Sequence, residues 1–533
     1  MELRTDVAIV GGGLGGVAAA LAAAEAGCTV VLTEQTCWLG GQLTSQMVPL
    51  DDHIRVESDG ANASYRLLRN GLRDRYRRLF PLTESQRHNP HLNPGEAWVS
   101  PVSVDPRAAV AVLDDMLAPY VASGRVTVLH ETTPMAVAVD ADRVSGVSVR
   151  ARSGEHIDLR AAYYLDATEL GEVLALGQVE HVSGRESRDQ TGEPGAAETA
   201  DPTDMQGASW CFAIDHLAGE DHTIDRPADY AQWRDLRPAK LGGHPILSWR
   251  IPTEDGAPER AFRFTPNQDD DQIDLDHHNT GSHPELWNYR RIAARRHFTP
   301  GYLRSDVVVV NWPLNDYIGG PLFGVPDAQR HWAAAKALSR SLLYWLQTEA
   351  PRPDGGTGWP GVRLRRDVAG TVDGFAMHPY IRESRRIRAR RTIVEQDLST
   401  ALRRKPRQYI DSVGVGHYFW IDRHLTTGDV RDDTGPVGIP HPFEIPLGAL
   451  IPERVRNLLP AAKNIGTTQI TNGCYRLHPV EWSIGEAAGA LTAHCLARNT
   501  EPHAVADDLE RTVEFQSTLI KRGVQLRWGP FVE

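Results

Sequence analysis

Cysteine is scarce in this 533-residue chain: Cys28, Cys37, Cys211, Cys474 and Cys495 lie far apart and form no CxxC pair. That spacing argues against a disulfide scaffold, a structural zinc site and a dithiol reductase. Long apolar runs are missing too. The one extended stretch, Val7 to Leu32, is broken by the glycines from Gly11 to Gly16 and by Glu25, so no membrane span is expected. The opening Met1-Glu2-Leu3-Arg4-Thr5-Asp6 leads straight into a strand and has none of the parts of a secretory leader, which makes a cytoplasmic protein the expectation. Positive charge is in deficit: 57 Lys and Arg against 69 Asp and Glu give a net charge of −12 and a pI near 6.0. Nucleic acid and anionic membranes are therefore not expected partners. What is present is an ordinary globular composition, 41% hydrophobic and 24% charged, with length for about three structural units.

The opening segment carries the most information. Asp6-Val7-Ala8-Ile9-Val10 is a short β-branched apolar run, followed by Gly11-Gly12-Gly13-Leu14-Gly15-Gly16 and then the alanine-rich stretch Val17 to Ala26. This predicts strand, tight glycine turn and helix. Gly27 would end the helix, Cys28 to Leu32 would be a second buried strand, and Glu34 stands at its end. Gly11, Gly13 and Gly16 thus satisfy GxGxxG in a βαβ context. The first glycine permits the turn, the second lets the backbone approach a pyrophosphate, and the third allows close helix packing, while the helix N-terminus favours the anion. Glu34 is placed to accept from both hydroxyls of an adenosine ribose without a 2′-phosphate.

Farther on, apolar spacing predicts a helix from Val104 to Tyr120 and a strand from Val126 to Leu129. Three alternating runs, Met135 to Val139, Val144 to Arg150 and His156 to Arg160, read as an antiparallel meander, with Tyr163 to Thr168 returning the chain to the first sheet. Between Gly184 and His441 the pattern loosens around the acidic run Asp269 to Asp271, an amphipathic helix from His331 to Thr348 and a loop at Gly355 to Gly358. Regularity returns at Leu458 to Ala462 and in the small-residue helix Val480 to Ala497. The expected fold is α/β: a Rossmann-like dinucleotide domain built from residues 1–183, with the meander, and 441–533, with terminal helices, around an inserted α+β substrate domain at 184–440. No second GxGxxG occurs in a strand–turn–helix context, so a built-in NADPH domain is not expected.

The glycine fingerprint alone does not separate FAD from NAD. Trp38-Leu39-Gly40-Gly41-Gln42-Leu43-Thr44 places a glycine pair just after the second strand, where an isoalloxazine and its ribityl chain need close backbone approach. From Asp6 to Thr44 the sequence resembles the two-dinucleotide-binding-fold (glutathione reductase-like) flavoproteins, and more narrowly a bacterial family of FAD-dependent oxidoreductases. Similar stretches cover almost the whole chain: Asp166-Ala167-Thr168, where Glu169 replaces the usual glycine; Gly184-Arg185-Glu186; Tyr380 to Arg386; Leu459 to Asn464, in place of the late Ala-Gly-Asp or Ala-Gly-Arg turn; Asn472 to Pro479; and Ser483 to Gly489. The resemblance implies FAD as cofactor. It places FAD contacts at Gly11, Gly13, Leu14, Gly15, Gly16, Glu34, Gln35, Gly40, Gly41, Gln42, Leu43, Thr133, Ala167, Thr168, Asn464, Arg476, Gly485 and Glu486.

The activity so implied is an FAD-dependent dehydrogenase or oxidase that moves a hydride from a small organic substrate to flavin N5, with oxygen or another acceptor reoxidising the flavin. Two alternatives stand beside it: a redox-neutral flavin-dependent isomerase or lyase, and a non-catalytic flavin-binding partner subunit. His478 is the first candidate for a base, because it lies two residues from Arg476 in the segment expected to face the flavin. Arg476 and the amides near Gly485 would stabilise negative charge on the reduced ring. His53, His378, His417 and Tyr418 are weaker candidates. Among Arg382, Arg385, Arg386, Arg388, Arg390 and Arg391, one side chain is expected to point inward and the rest outward. Cys37 reads as a buried or packing cysteine rather than a redox thiol, and His277-His278 with Asp276 and His283 as a polar loop, so no metal is assigned. A homodimer is left open.

Overall fold

The computed structural model describes residues 1–251, 260–268, 285–423, 426–428 and 438–529. The acidic run Asp269 to Asp271 and the histidines His277, His278 and His283 with Asp276 lie outside the described residues. Along the chain come β1 (Glu2–Val10), α1 (Leu14–Glu25), β2 (Val30–Thr33), α2 (Ala63–Leu79), α3 (Pro106–Ala122), β3 (Val126–Leu129), β4 (Thr132–Asp140), β5 (Arg143–Ala151), β6 (His156–Asp166), α4 (Ala328–Thr348), β7 (Leu458–Pro460), α5 (Gln469–Tyr475) and α6 (His478–Arg498), with shorter elements between them.

The first sheet has seven strands in the order β3-β2-β1-β6-β5-β4, and β7 also pairs with β6. β1 runs parallel to β2 (Val7 opposite Val30) and to β6 (Val10 opposite Asp166). Parallel strands covered on both faces need continuous apolar runs, and Val7, Ala8, Ile9 and Val10 are fully buried. The meander departs from the expectation in one respect. Its third run and the return strand are a single 11-residue strand, β6, whose first half pairs antiparallel with β5 while its length pairs parallel with β1. No turn residue interrupts Arg160-Ala161-Ala162-Tyr163, so nothing in the chain breaks the strand there.

α1 and α6 pack against each other through a seam of small residues. A Cβ on Gly485 would lie 2.0 Å from Gly15 O, and one on Gly489 would lie 2.2 Å from Ala19 O. α6 is accordingly buried from His478 to Cys495. α1 ends at Ala26, and Gly27 follows at φ +100°, the left-handed position in which glycine closes a helix. α3 begins at Pro106 with Asp105 as its cap, the carboxylate accepting from Arg107 N–H at 2.8 Å. No helix among the described residues is long and apolar enough to cross a membrane.

The middle of the chain has its own core. An antiparallel sheet of four strands runs in the order Arg291–Ala293, Val307–Val310, Phe212–His216, Val362–Leu364. α4 buries Leu338, Leu342, Leu343 and Leu346 in this core, beside Trp287, Trp312 and Phe212. The apolar cluster reaches from Met205 to Ile381 and takes in Met47 and Val48 of the N-terminal segment. Ser412–Gly416 pairs with Phe443–Pro446 across residue 440, where the sequence suggested a boundary, and Val413 and Ile445 belong to the same core as β1, α1 and α6.

Candidate functional site

The GxGxxG turn is built of backbone contacts that admit no side chain. At Gly11, φ +105°, a Cβ would lie 2.2 Å from Ala167 O; at Gly15 it would lie 1.9 Å from Ala461 O, and at Gly16 2.0 Å from Gly11 O. These glycines lock the turn to β6 and β7 and start α1 under it. Gly13, the residue before the helix, is different: its missing Cβ would only brush two carboxylate oxygens at 3.2 Å, Glu169 Oε1 and Glu481 Oε1. Its face therefore opens onto side chains that can give way to a ligand.

Beside the turn lies a narrow cleft of about 20 Å³, lined by Gly11 to Gly13, Thr33 to Gln35, Thr132, Pro134, Ala167 to Glu169 and Glu172. Glu34 spans its floor. Its Oε2 accepts from Gly12 N–H at 3.1 Å, and its Oε1 accepts from Thr36 N–H at 2.8 Å and Thr36 Oγ1 at 2.7 Å. Burial pushes the Glu34 carboxyl up to about 7, against the pull of those donors. Burial also lifts Glu172 to about 7, reinforced by Asp166, and Asp166 to about 6 despite bonds from Thr168 N–H, Thr168 Oγ1 and Leu174 N–H.

The second glycine pair meets the first. Gly40 N–H donates to Gly12 O at 2.8 Å, and a Cβ on Gly41, φ +50°, would lie 2.9 Å from Gly13 Cα. Gln42 Nε2 donates to Arg476 O at 3.1 Å and to Glu481 Oε2 at 2.5 Å. The Arg476 carbonyl can only accept, which sets the amide orientation, and the buried Gln42 Oε1 has no donor among the described residues. Lys463, on the chain just after β7, bonds Glu169 within the same enclosure.

These features fit an adenine dinucleotide with a flavin. The cleft floor offers Glu34 to a ribose, the glycine turn admits a diphosphate at the start of α1, and the pair Gly40-Gly41 with the orphaned Gln42 oxygen lies where the ring end would follow.

Several expected contacts fall elsewhere. Thr133 does not line the cleft; alternation along β4 turns Thr132 and Pro134 toward it and Thr133 away. Leu14 and Leu43 are core residues. Asn464 is occupied as a strut, donating from Nδ2 to Asp166 O at 3.0 Å and accepting at Oδ1 from Ala462 N–H at 3.2 Å, so its neighbour Lys463 reaches the cradle instead. Gly485 is spent on the contact with Gly15, and Glu486 accepts from Asn62 Nδ2 at 2.8 Å and Ser64 Oγ at 2.6 Å. Arg476 is buried with Nη1 on Tyr380 OH at 2.8 Å and Nη2 on Asp422 Oδ2 at 2.7 Å, a paired cation raised above its ordinary range by Tyr380 and Asp422 against burial.

His478 has no nitrogen to spare. Nε2 donates to Val48 O at 3.1 Å, and Nδ1 accepts from Asp51 N–H at 3.0 Å, while burial lowers its pKa. An imidazole held this way is neutral and has its lone pair engaged, so it serves structure. His53 is held in the same manner, by Gly60 O and Arg55 N–H, and packs edge-on with His417 at 5.6 Å. Tyr418 is half-buried, its phenol raised by burial and by Asp51 and Asp422. His378 differs: Nδ1 donates to Pro379 O at 2.9 Å, which leaves the lone pair on Nε2, and Nε2 makes no hydrogen bond among the described residues. Cys37 is exposed, with its thiol 3.7 Å from Met377 sulfur.

Two arginines of the run at 382–391 point inward, not one. Arg382 meets Asp316 at 2.9 Å, and Arg386 is fully buried between Glu186 at 2.8 Å and Glu383 at 2.6 Å. Arg390 is partly exposed and paired with Asp507. Each inward guanidinium is matched by an acid, because an unmatched one would lose its hydration without return. Of the residues that sequence reasoning missed, Glu169 stood out as a departure from glycine. Lys463 and Glu481 had no local signal, since their role comes from meeting across the fold.

The family model for FAD dependent oxidoreductases matches residues 6–519. No match is found among curated protein sequences. Among solved structures, the chain is similar to AlpK (14% identity over 42% of this chain and 40% of that one, TM-score 0.25). It is also similar to the flavin-dependent monooxygenase PieE in complex with FAD and substrate (16%, 40% and 35%, TM-score 0.23). A third is Mycobacterium smegmatis Sdh1 in complex with UQ1 (16%, 31% and 34%, TM-score 0.22). The matched stretch spans well under two thirds of each of those chains, and no activity is carried over from them. The glycine turn, the cleft with Glu34 and a family match over nearly the whole length lead to one statement: the chain belongs to the FAD dependent oxidoreductase family, and FAD is its cofactor.

Proposed function

We propose that this protein is a dehydrogenase or oxidase that removes a hydride from a carbon bearing a hydroxyl or amino group, and that His378 takes the proton which that group releases. Bound FAD supplies the two-electron acceptor. The observation that carries the reading is the state of His378. Its ring is buried, its tautomer is set by Pro379 O, and its Nε2 lone pair is uncommitted. Its place beside the cradle supports the same role: His378 N–H donates to Ser45 O at 3.3 Å, and Ser45 Oγ donates to Gly41 O at 3.2 Å.

Burial lowers the His378 pKa, which keeps the acceptor form populated at neutral pH, while Glu169 works in the opposite direction and would favour the ring once protonated. Trp332 packs edge-on against it at 5.0 Å and holds the ring plane. A base that is neutral at rest and stabilised when charged suits the removal of an O–H or N–H proton.

The test is anaerobic mixing of the holoenzyme with a panel of alcohols and amines, read by bleaching of the flavin band. His378→Asn should retain FAD and slow reduction by about 100-fold or more, whereas His478→Asn should chiefly lower stability. Reduction at the wild-type rate in His378→Asn sinks the assignment. The speed of reoxidation by dissolved oxygen separates oxidase from dehydrogenase, and product formation without any bleached phase points to a redox-neutral reaction.

A further inference from the structure

The cradle ends in an enclosure whose charges do not balance. Lys463 is 1% exposed and bonds Glu169 Oε2. Glu481, equally buried in the first turn of α6, accepts from Gly15 N–H at 3.2 Å and from Gln42 Nε2. The two carboxylates meet on the open face of Gly13, each with an oxygen 3.2 Å from where its Cβ would be. One ammonium thus faces two acids in a dry interior, and burial together with Glu169 raises the Glu481 carboxyl above its ordinary range. A stable core would match these charges one to one. The surplus anion sits on the backbone amide at the start of α1, the place where a dinucleotide fold receives its diphosphate.

We propose that Glu481 is the protein's own stand-in for the cofactor diphosphate, giving up Gly15 N–H when FAD arrives, and that Lys463 is a cofactor-binding residue whose charge is then shared between Glu169 and the incoming anion. Three observations support this. The two nearest atoms to a Cβ on Gly13 are the carboxylate oxygens of Glu169 and Glu481, with the nearest backbone atom, Ala167 O, at 3.9 Å, so the contact can open by side-chain movement. Gln42, which anchors Glu481, keeps an unpartnered buried Oε1, so the enclosure is not saturated. Lys463 stands in the turn after the late strand, where the resemblance implies either an aspartate or an arginine, and brings a cation to a cradle otherwise walled by Glu34, Asp166, Glu169 and Glu172. The inference rests on FAD as cofactor and not on the reaction proposed above.

The remaining ionisable groups around the enclosure are Glu34, Asp166 and Glu172 on the sheet side and His378, Tyr380 and Arg476 on the side of the middle region. Several of these titrate in the same range, so the contribution of Glu481 is isolated as the difference between wild type and Glu481→Gln. The probes are FAD and ADP-ribose, the latter having a diphosphate diester that does not titrate near neutrality and no flavin. Binding to the full-length protein stripped of cofactor is followed by FAD fluorescence quenching and by calorimetry for ADP-ribose.

Lys463→Met should weaken both probes between about tenfold and 100-fold, the worth of one charge-assisted contact. Glu481→Gln should tighten both at about pH 8 and match wild type at about pH 5.5, where the native carboxyl is already neutral. Lys463→Met binding both probes within about threefold of wild type, or Glu481→Gln binding them more weakly at about pH 8, overturns the proposal. Should Lys463→Met fail to fold, K463M/E169Q removes the cation together with its partner, and the comparison of wild type with Glu481→Gln stands without it.

Discussion

The glycine turn at residues 11–16 and the arginine run at 382–391 are the two most distinctive stretches of this sequence, and they behave in opposite ways. Each glycine of the turn is explained by atoms it nearly touches: Ala167 O for Gly11, Ala461 O for Gly15 and Gly11 O for Gly16. Every arginine in the run carries the same chemistry, yet Arg386 is fully buried between two acids while Arg390 pairs with Asp507 at the surface. Glycine encodes a backbone requirement that holds wherever the turn forms. An arginine's burial is decided by which distant acid meets it, and Glu186 lies 200 positions from Arg386. One stretch carries its meaning locally, and the other receives it from the fold.

The sharpest way to break that contrast is within the arginine run itself. Arg386→Ala strands Glu383 and Glu186 and should cost about 3–5 kcal/mol, whereas Arg390→Ala removes an exposed pair and should cost no more than about 1 kcal/mol. Chemical denaturation of the two variants reads the difference directly. Equal losses would mean that the inward and outward positions are energetically alike.

The glycine side is tested by Gly15→Ala. A methyl 1.9 Å from Ala461 O forces α1 away from β7 and should cost about 1–3 kcal/mol in overpacking. FAD retention should fall with it, because the same displacement moves the start of α1. Gly124→Ala is the control: nothing lies within 4 Å of its Cβ, so its only cost is a φ of +73°. Retained FAD and an unchanged unfolding midpoint in Gly15→Ala would remove the backbone explanation of the motif.

The same distinction decides how much was legible in the sequence. β1, α1, β2, the helices α3 and α4 and the C-terminal helix α6 were readable because apolar period and punctuation are local. The junction within β6 was not, since one strand serves two neighbours of opposite direction. At the site, Glu34 and the glycine pairs followed from motif spacing. His478 failed as a base because Val48 and Asp51, more than 400 residues away, occupy its nitrogens, and Lys463 and Glu481 were invisible until β7, α6 and the loop after β6 were brought together. His378 was one of several weak candidates, and it differs from His478 and His53 only in having its second ring nitrogen without a hydrogen bond among the described residues.

The smallest expected effect lies in the cleft and concerns Glu34. Its carboxyl sits at about 7 in the folded chain against an ordinary 4.5, so the fold takes up its proton more readily than the unfolded chain does. The corresponding stability is fully present below about pH 4.5 and is lost as pH rises through about 7. Glu172 at about 7 and Asp166 at about 6 have the same sign, so the unfolding midpoint of cofactor-free protein should fall between about pH 5 and about pH 8. Glu34→Gln cannot ionise and has one acceptor oxygen to share between Gly12 N–H and Thr36, so its overall midpoint falls, while its pH-dependent drop should narrow by roughly 1–2 °C if the Glu34 share is about 1 kcal/mol. If Glu34 is the ribose acceptor, FAD hydroxyls donating to it would favour the ionised form, and the wild-type slope should flatten as well. A pH slope identical in wild type and Glu34→Gln, with and without FAD, would separate Glu34 from the nucleotide cleft and leave the glycine turn as the sole local determinant of the cofactor.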